Sequence, residues 1–257
     1  MHRYITIDGR RTHALHGPMP VDTLFLHGVG GSAWTFAATL DAMTAGWMSV
    51  DLLGYGESSW LPDGDYSSRR QAEQIIKVMD QLGVGEVRVV GFSWGGLIGL
   101  ELARRDPRVT RLAVIDIAPS SNLSPTDVPP IPSLYPDIDA ASAVVRRLAP
   151  RATLAVAERD AHLSTTGCAE GLRKKIDPVL LSNWQFRTEN HWDSWRRNAL
   201  PTVLIRGAES PVLGREQAQR MVGEAQAARL VEIPGAGHLI PLEQPKALAA
   251  ELTEFLS

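Results

Sequence analysis

One cysteine, Cys168, occurs in the 257-residue chain, so no internal disulfide is possible and nothing depends on an oxidising compartment. The flanking Gly167 and Ala169 mark Cys168 as a small filler rather than a nucleophile. There is no basic excess: 26 Lys and Arg against 29 Asp and Glu give a formal charge of -3, which speaks against nucleic acid as a partner. No apolar run approaches about 18 residues, so no membrane insertion is expected. The start, Met1-His2-Arg3-Tyr4-Ile5-Thr6-Ile7-Asp8, alternates like a strand and lacks the charged-then-apolar order of a secretory leader, so the expected location is cytoplasmic. Internal repeats and low-complexity tracts are lacking too. No His, Asp or Glu cluster has metal-ligand spacing, so no metal is expected. Gly28-Val29-Gly30-Gly31 lacks the third glycine of a dinucleotide loop in its proper place, and no ribose-binding acid follows, so no cofactor is expected.

What remains is an ordinary globular composition, 44% hydrophobic and 21% charged. Strands are expected at residues 3–8 and 11–15, joined by a hairpin turn at Asp8-Gly9-Arg10, and then at 21–26, 47–51, 87–90 and 109–117. Helices fit 33–45, 67–82 and 97–105. This alternation predicts an α/β fold with a mostly parallel eight-stranded sheet and helices on both faces. From 118 to 136 six prolines (Pro119, Pro125, Pro129, Pro130, Pro132, Pro136) predict an extended connector. Residues 139–197 read as short helices with no strong strand. The pattern resumes with strands at 202–205 and 229–233 and helices at 215–223 and 245–256. The expected division is therefore a core of residues 1–120 and 198–257, with a small helical cap, 121–197, inserted in it.

Gly91-Phe92-Ser93-Trp94-Gly95 is G-x-S-x-G between an apolar strand and a helix. A nucleophile on so sharp a turn leaves no room for side chains two residues to either side, which accounts for Gly91 and Gly95. Ser93 is the candidate nucleophile. An acyl-transfer intermediate places negative charge on the former carbonyl oxygen, and two backbone N–H groups are expected to hold it. The amide of Trp94 is one, and Val29, in the loop His27-Gly28-Val29-Gly30-Gly31, supplies the other. His27 is expected to brace that loop. His238, in Gly235-Ala236-Gly237-His238 after the last strand, is the candidate general base; His2, His13, His16, His162 and His191 lack its context.

Four segments, LHGVGG at 26–31, DLLGYGESS at 51–59, GFSWGG at 91–96 and GAGH at 235–238, resemble the α/β-hydrolase superfamily, especially its small serine carboxylesterases. The resemblance spans nearly the whole chain outside the insertion and implies an ester or thioester substrate, a small molecule, cleaved through an acyl-enzyme. It departs at the acid. The loop Arg206-Gly207-Ala208-Glu209-Ser210-Pro211 has Ser210 at the usual acid position. Some members of the family carry the acid one strand earlier, which points to Asp116; Glu209 is the alternative acid, and Ser210 would hydrogen-bond beside the His–Asp pair. Asp51 and Ser58 are read as tying down their own loop. Among the cap aromatics Trp184, Phe186, Trp192 and Trp195, some can line an acyl pocket, and at least two are expected to anchor the cap. Arg173-Lys174-Lys175 and Arg196-Arg197 read as solvated faces. Lactone, amide and carbon–carbon hydrolysis use the same parts, and a binding or receptor-like protein with a vestigial triad is the alternative outside enzymes. Oligomeric state has no signature in the sequence.

Overall fold

A computed structural model describes residues 1–43, 46–120, 131–182 and 185–257. The first half runs β1 (His2–Ile7), β2 (Arg10–His16), β3 (Thr23–Leu26), α1 (Ala37–Leu40), β4 (Trp47–Val50), α2 (Ser68–Leu82), β5 (Val87–Phe92), α3 (Trp94–Arg105) and β6 (Val109–Ile115). An inserted segment follows with β7 (Leu134–Tyr135), α4 (Ile138–Leu148), α5 (Leu154–Ser164), β8 (Thr165–Cys168), β9 (Gly171–Lys174), α6 (Val179–Ser182) and α7 (Trp192–Arg197). The chain ends with β10 (Thr202–Gly207), α8 (Arg215–Glu224), β11 (Ala228–Ile233), α9 (Ile240–Glu243) and α10 (Pro245–Leu256).

The main sheet has eight strands in the order β1-β2-β4-β3-β5-β6-β10-β11. Within it, β1 with β2 and β2 with β4 pair antiparallel, while β4, β3, β5, β6, β10 and β11 run parallel. The β1–β2 turn has Asp8 and Gly9 both at positive φ, 51° and 74°, the geometry of a two-residue hairpin. The central strands are mostly apolar because both faces are covered. In β3, Leu24 and Leu26 join the core beneath α2 and α3, while Phe25 points to the opposite core, beneath α1 and α10.

Two expectations need correction. The helix expected at 33–45 is a 3-10 turn (Ala33–Phe36) followed by the single-turn α1, which ends at Leu40. Ser32 caps it in a box with Thr35. The inserted segment is not purely helical: β7, β9 and β8 form a separate three-stranded antiparallel sheet. Those strands span two to four residues, too short to display an alternation, and β7 lies inside the proline-rich connector. Helices α4 and α5 pack on each other and on Leu242 of α9 in a third apolar cluster. Among the described residues no helix is long and apolar enough to cross a membrane.

Candidate active site

The carboxyl ends of β5, β6, β10 and β11 open on one side of the sheet, where ligands collect in open parallel sheets. Ser93 follows β5 directly, with φ 52° and ψ -126°. The turn holds this conformation through Ser93 N–H donating to Ile115 O (2.7 Å) and Gly96 N–H donating to Ser93 O (2.8 Å). A Cβ on Gly91 would lie 2.2 Å from the Gly95 oxygen, and one on Gly95 would lie 2.1 Å from the Leu26 oxygen. Both glycines are therefore required by close backbone approach, as the motif suggested.

His238 stands in the loop after β11, its Nε2 3.2 Å from Ser93 Oγ and its Nδ1 2.7 Å from Asp116 Oδ2. The Asp116 contact assigns the proton to Nδ1 and leaves Nε2 free to accept from the serine hydroxyl. Asp116 sits one residue beyond β6, fully buried, at φ 54°. Its Oδ1 accepts from Gly207 N–H (3.1 Å), and its Oδ2 also accepts from the Ser210 hydroxyl. Ser210 Oγ in turn accepts from the amides of Val212 (3.1 Å) and Leu213 (3.3 Å). Glu209, the other candidate acid, pairs with Arg151 and makes no hydrogen bond to His238.

The loop after β3 lies against the serine: a Cβ on Gly28 would fall 2.8 Å from Ser93 Cβ. Val29 follows in that loop, and its amide meets no protein acceptor among the described residues. Trp94 opens α3, where an amide has no partner within the helix. His27 braces the loop: Nδ1–H donates to Gly28 O (2.7 Å), and Nε2 accepts from Leu52 N–H (3.1 Å). Its complete burial pushes its pKa down to about 4, so it stays neutral. Asp51 accepts from the amides of Ala33 (2.6 Å) and Glu57 (2.8 Å), and Ser58 Oγ donates to Asp51 O (2.6 Å), a loop brace as expected.

A cavity of about 540 Å³ opens onto Ser93 and His238, walled by Val29, Phe92, Ile117, Phe186, Val212 and Leu239. Of the cap aromatics, Phe186 lines this cavity and stacks on Trp94 (5.9 Å between centroids). Trp195 and Trp192 anchor the inserted segment instead. Trp195 is buried and donates to Met221 O (2.7 Å); Trp192 donates to Ser120 Oγ (3.0 Å) and lies under Arg196 and Arg220. Trp184 lies outside the described residues.

Three features escaped the sequence reading. Glu243, buried, accepts from the Gly237 amide and so supports the His238 loop. His191 is buried between Glu101 (3.4 Å) and Glu189 (2.9 Å). Burial opposes its charge, but the two carboxylates outweigh it and lift the pKa to about 9. Lys174 is not on a solvated face; half-buried, it lines a cavity with Asp160. Residues alternate sides along a strand, so Lys174 in β9 faces away from its exposed neighbour Arg173.

A model of the alpha/beta hydrolase family matches residues 23–251. The chain belongs to that family, and it is an esterase-like hydrolase. An esterase of Mycobacterium tuberculosis is 27% identical over 241 residues, covering 88% of this chain and 79% of the relative. The 3-hydroxybutyrate-oligomer hydrolase of Cupriavidus necator is 26% identical over 251 residues, covering 87% and 84%. Among solved structures, E-2-(acetamidomethylene)succinate hydrolase superposes with a TM-score of 0.87 at 19% identity, covering 100% of this chain and 98% of that one. A crystal structure of the M. tuberculosis esterase superposes with a TM-score of 0.82 at 24% identity, covering 100% and 90%. At such identities the structural likeness speaks for the fold alone.

Proposed function

We propose that this hydrolase is a serine esterase that cleaves a carboxylic ester or thioester of a small molecule through an acyl-enzyme. The observation that carries the proposal is the continuous chain Ser93 Oγ, His238 Nε2, His238 Nδ1, Asp116 Oδ2 at 3.2 and 2.7 Å beside a largely apolar cavity. His238 Nε2 takes the proton as Ser93 Oγ attacks the carbonyl carbon. The oxyanion that forms is held by the amides of Val29 and Trp94, each worth about 10²–10³ in rate. Collapse expels the alcohol or thiol, which leaves with the proton from His238. Water, deprotonated by His238, then attacks the acyl carbon and frees Ser93. Asp116 is the acid of the triad: it fixes the imidazole tautomer and stabilises the imidazolium. Ser210 takes the place beside Asp116 that an acid commonly fills in the family, and it keeps the carboxylate oriented rather than exchanging a proton with substrate.

The division into core and cap belongs to this reading. Residues 121–197 act as the cap over the core of 1–120 and 198–257, supported by Ile131, Leu148, Pro150, Arg151 and Phe186 of the inserted segment, which line the cavity above Ser93. The chemistry calls on no cofactor or metal.

Hydrolysis of p-nitrophenyl esters from acetate to decanoate, with Ser93→Ala alongside, tests the proposal. Release by the parent protein that is abolished in the variant is the expected result, and the optimum chain length sizes the cavity. A folded parent protein inert on every ester would overturn the ester assignment and favour a lactone or carbon–carbon bond as substrate.

A further inference from the structure

A second cavity, about 70 Å³, adjoins the first; Val29, Phe92, Ile131, Leu148 and Leu239 wall both. It has room for more than one water at about 30 Å³ each. Its remaining lining includes three ionisable side chains, the phenol of Tyr135 in β7 and two groups of opposite charge, Lys174 of β9 and Asp160 of α5. Among the described residues neither makes a side-chain hydrogen bond, and their charged atoms do not come within 4.0 Å of each other. Burial opposes charge on both, lowering the Lys174 pKa and raising that of Asp160; only their mutual attraction works the other way. Buried charges are retained at a cost unless something completes their hydrogen bonds. Among the described residues the proposed triad makes no contact with this pair.

We infer that this cavity is the far end of the acyl site and takes an acyl chain capped by a neutral group that both donates and accepts a hydrogen bond, a primary carboxamide or a hydroxyl. Lys174 offers only donors, and Asp160 as carboxylate only acceptors. A group bridging them must accept from one and donate to the other. A terminal carboxylate has nothing to donate to Asp160, and an ammonium has nothing to accept with from Lys174. A methyl terminus satisfies neither. The shared wall of Val29, Phe92 and Leu239 gives a chain attached at Ser93 an apolar path to the pair.

This inference names the substrate class of the proposed serine esterase and therefore rests on that reading, but binding tests it separately. Ser93→Ala protein is titrated calorimetrically with the methyl esters of succinamic, glutaramic and adipamic acids, and with methyl butyrate, pentanoate and hexanoate. Monomethyl adipate supplies the carboxylate-ended control. One amide-ended ester is expected to bind about tenfold more tightly than its methyl-ended counterpart, the worth of a hydrogen bond to a charged group. Adding Lys174→Met or Asp160→Asn is expected to bring that ratio close to one. Equal binding of amide- and methyl-ended esters, or a ratio untouched by both substitutions, would overturn the inference and leave the pair a water-filled structural feature. Preference for monomethyl adipate would overturn it in favour of anion recognition. Tight binding of an amide-ended ester that the parent protein does not hydrolyse would count against the esterase reading alone.

Discussion

Replacing Asp116 by Asn tests the least obvious part of the triad, because the side chain keeps its shape and loses only its capacity to accept at both oxygens. In the parent protein Oδ1 accepts from Gly207 N–H at 3.1 Å, while Oδ2 faces His238 Nδ1 and Ser210 Oγ. The single oxygen of the substituted amide is best placed toward Gly207, which turns the NH2 toward His238. That NH2 requires an unprotonated Nδ1, so the proton moves to Nε2, and the imidazole no longer accepts from Ser93. A wrong tautomer of this kind costs up to about 10⁴ in kcat, or roughly 5 kcal/mol of barrier. Turning the amide over restores the tautomer but sets NH2 against Gly207 N–H, at about 1–3 kcal/mol for the unmet donor. The flipped state costs about 5- to 150-fold by itself, and the neutral amide also withdraws the charge that stabilises the imidazolium, so kcat is expected to fall between about 10²- and 10⁴-fold with little change in KM. Glu209→Gln, by contrast, touches an exposed side chain at the cavity wall that pairs with Arg151 and not with His238, and kcat should stay within about threefold. The assay is p-nitrophenyl ester hydrolysis, with circular dichroism to establish folding. A larger loss in Glu209→Gln than in Asp116→Asn would refute the reasoning.

Three further outcomes follow from other groups at the site and beneath it. Ser210→Ala removes one donor to Asp116 and the acceptor of the Val212 and Leu213 amides; kcat should fall about tenfold, with Tm lower by roughly 2–6 °C. His191, lifted to about 9 by Glu101 and Glu189 against the opposing effect of burial, contributes stability that is full below its ordinary 6.5 and is lost as pH rises through 9. The Tm advantage of the parent protein over His191→Gln should therefore shrink between pH 6.5 and 9; an advantage constant across that window would contradict the assignment. Glu101, held down at about 2 first by its hydrogen bond to His191 and then by Arg105 and Arg104, adds stability present above 4.5 and lost as pH falls toward 2. Thermal melts between pH 2 and 5 should show parent and Glu101→Gln proteins converging at the acid end.

The sheet and the elbow were readable in the sequence because their signals are local. Apolar runs of four to seven residues, glycines at a turn and a helix stripe need no distant partner to be recognised. Ser93 and Trp94, Val29, and His238 lie in three segments that the motifs mark, and the structure brings all three to one end of the sheet. The choice between Asp116 and Glu209 was less accessible, since it depends on how neighbouring strands are registered. Ile205 opposite Ile115 sets the loop after β10 beside the end of β6, so that Gly207 and Ser210 meet Asp116. The inserted segment was read least well. Its strands are too short to show a period, and Lys174, between Arg173 and Lys175, looks solvated until its strand is known. His191 likewise resembles an exposed residue, because Glu101 is ninety positions away in the chain.

The central claim is that Ser93 is a nucleophile activated by His238. Intact-protein mass spectrometry after brief exposure to a fluorophosphonate tests it most directly. The account predicts one adduct per chain, mapped by peptide analysis to Ser93, absent in Ser93→Ala and formed far more slowly in His238→Ala. Labelling that persists in Ser93→Ala, or a parent protein that remains unlabelled while folded, would contradict it.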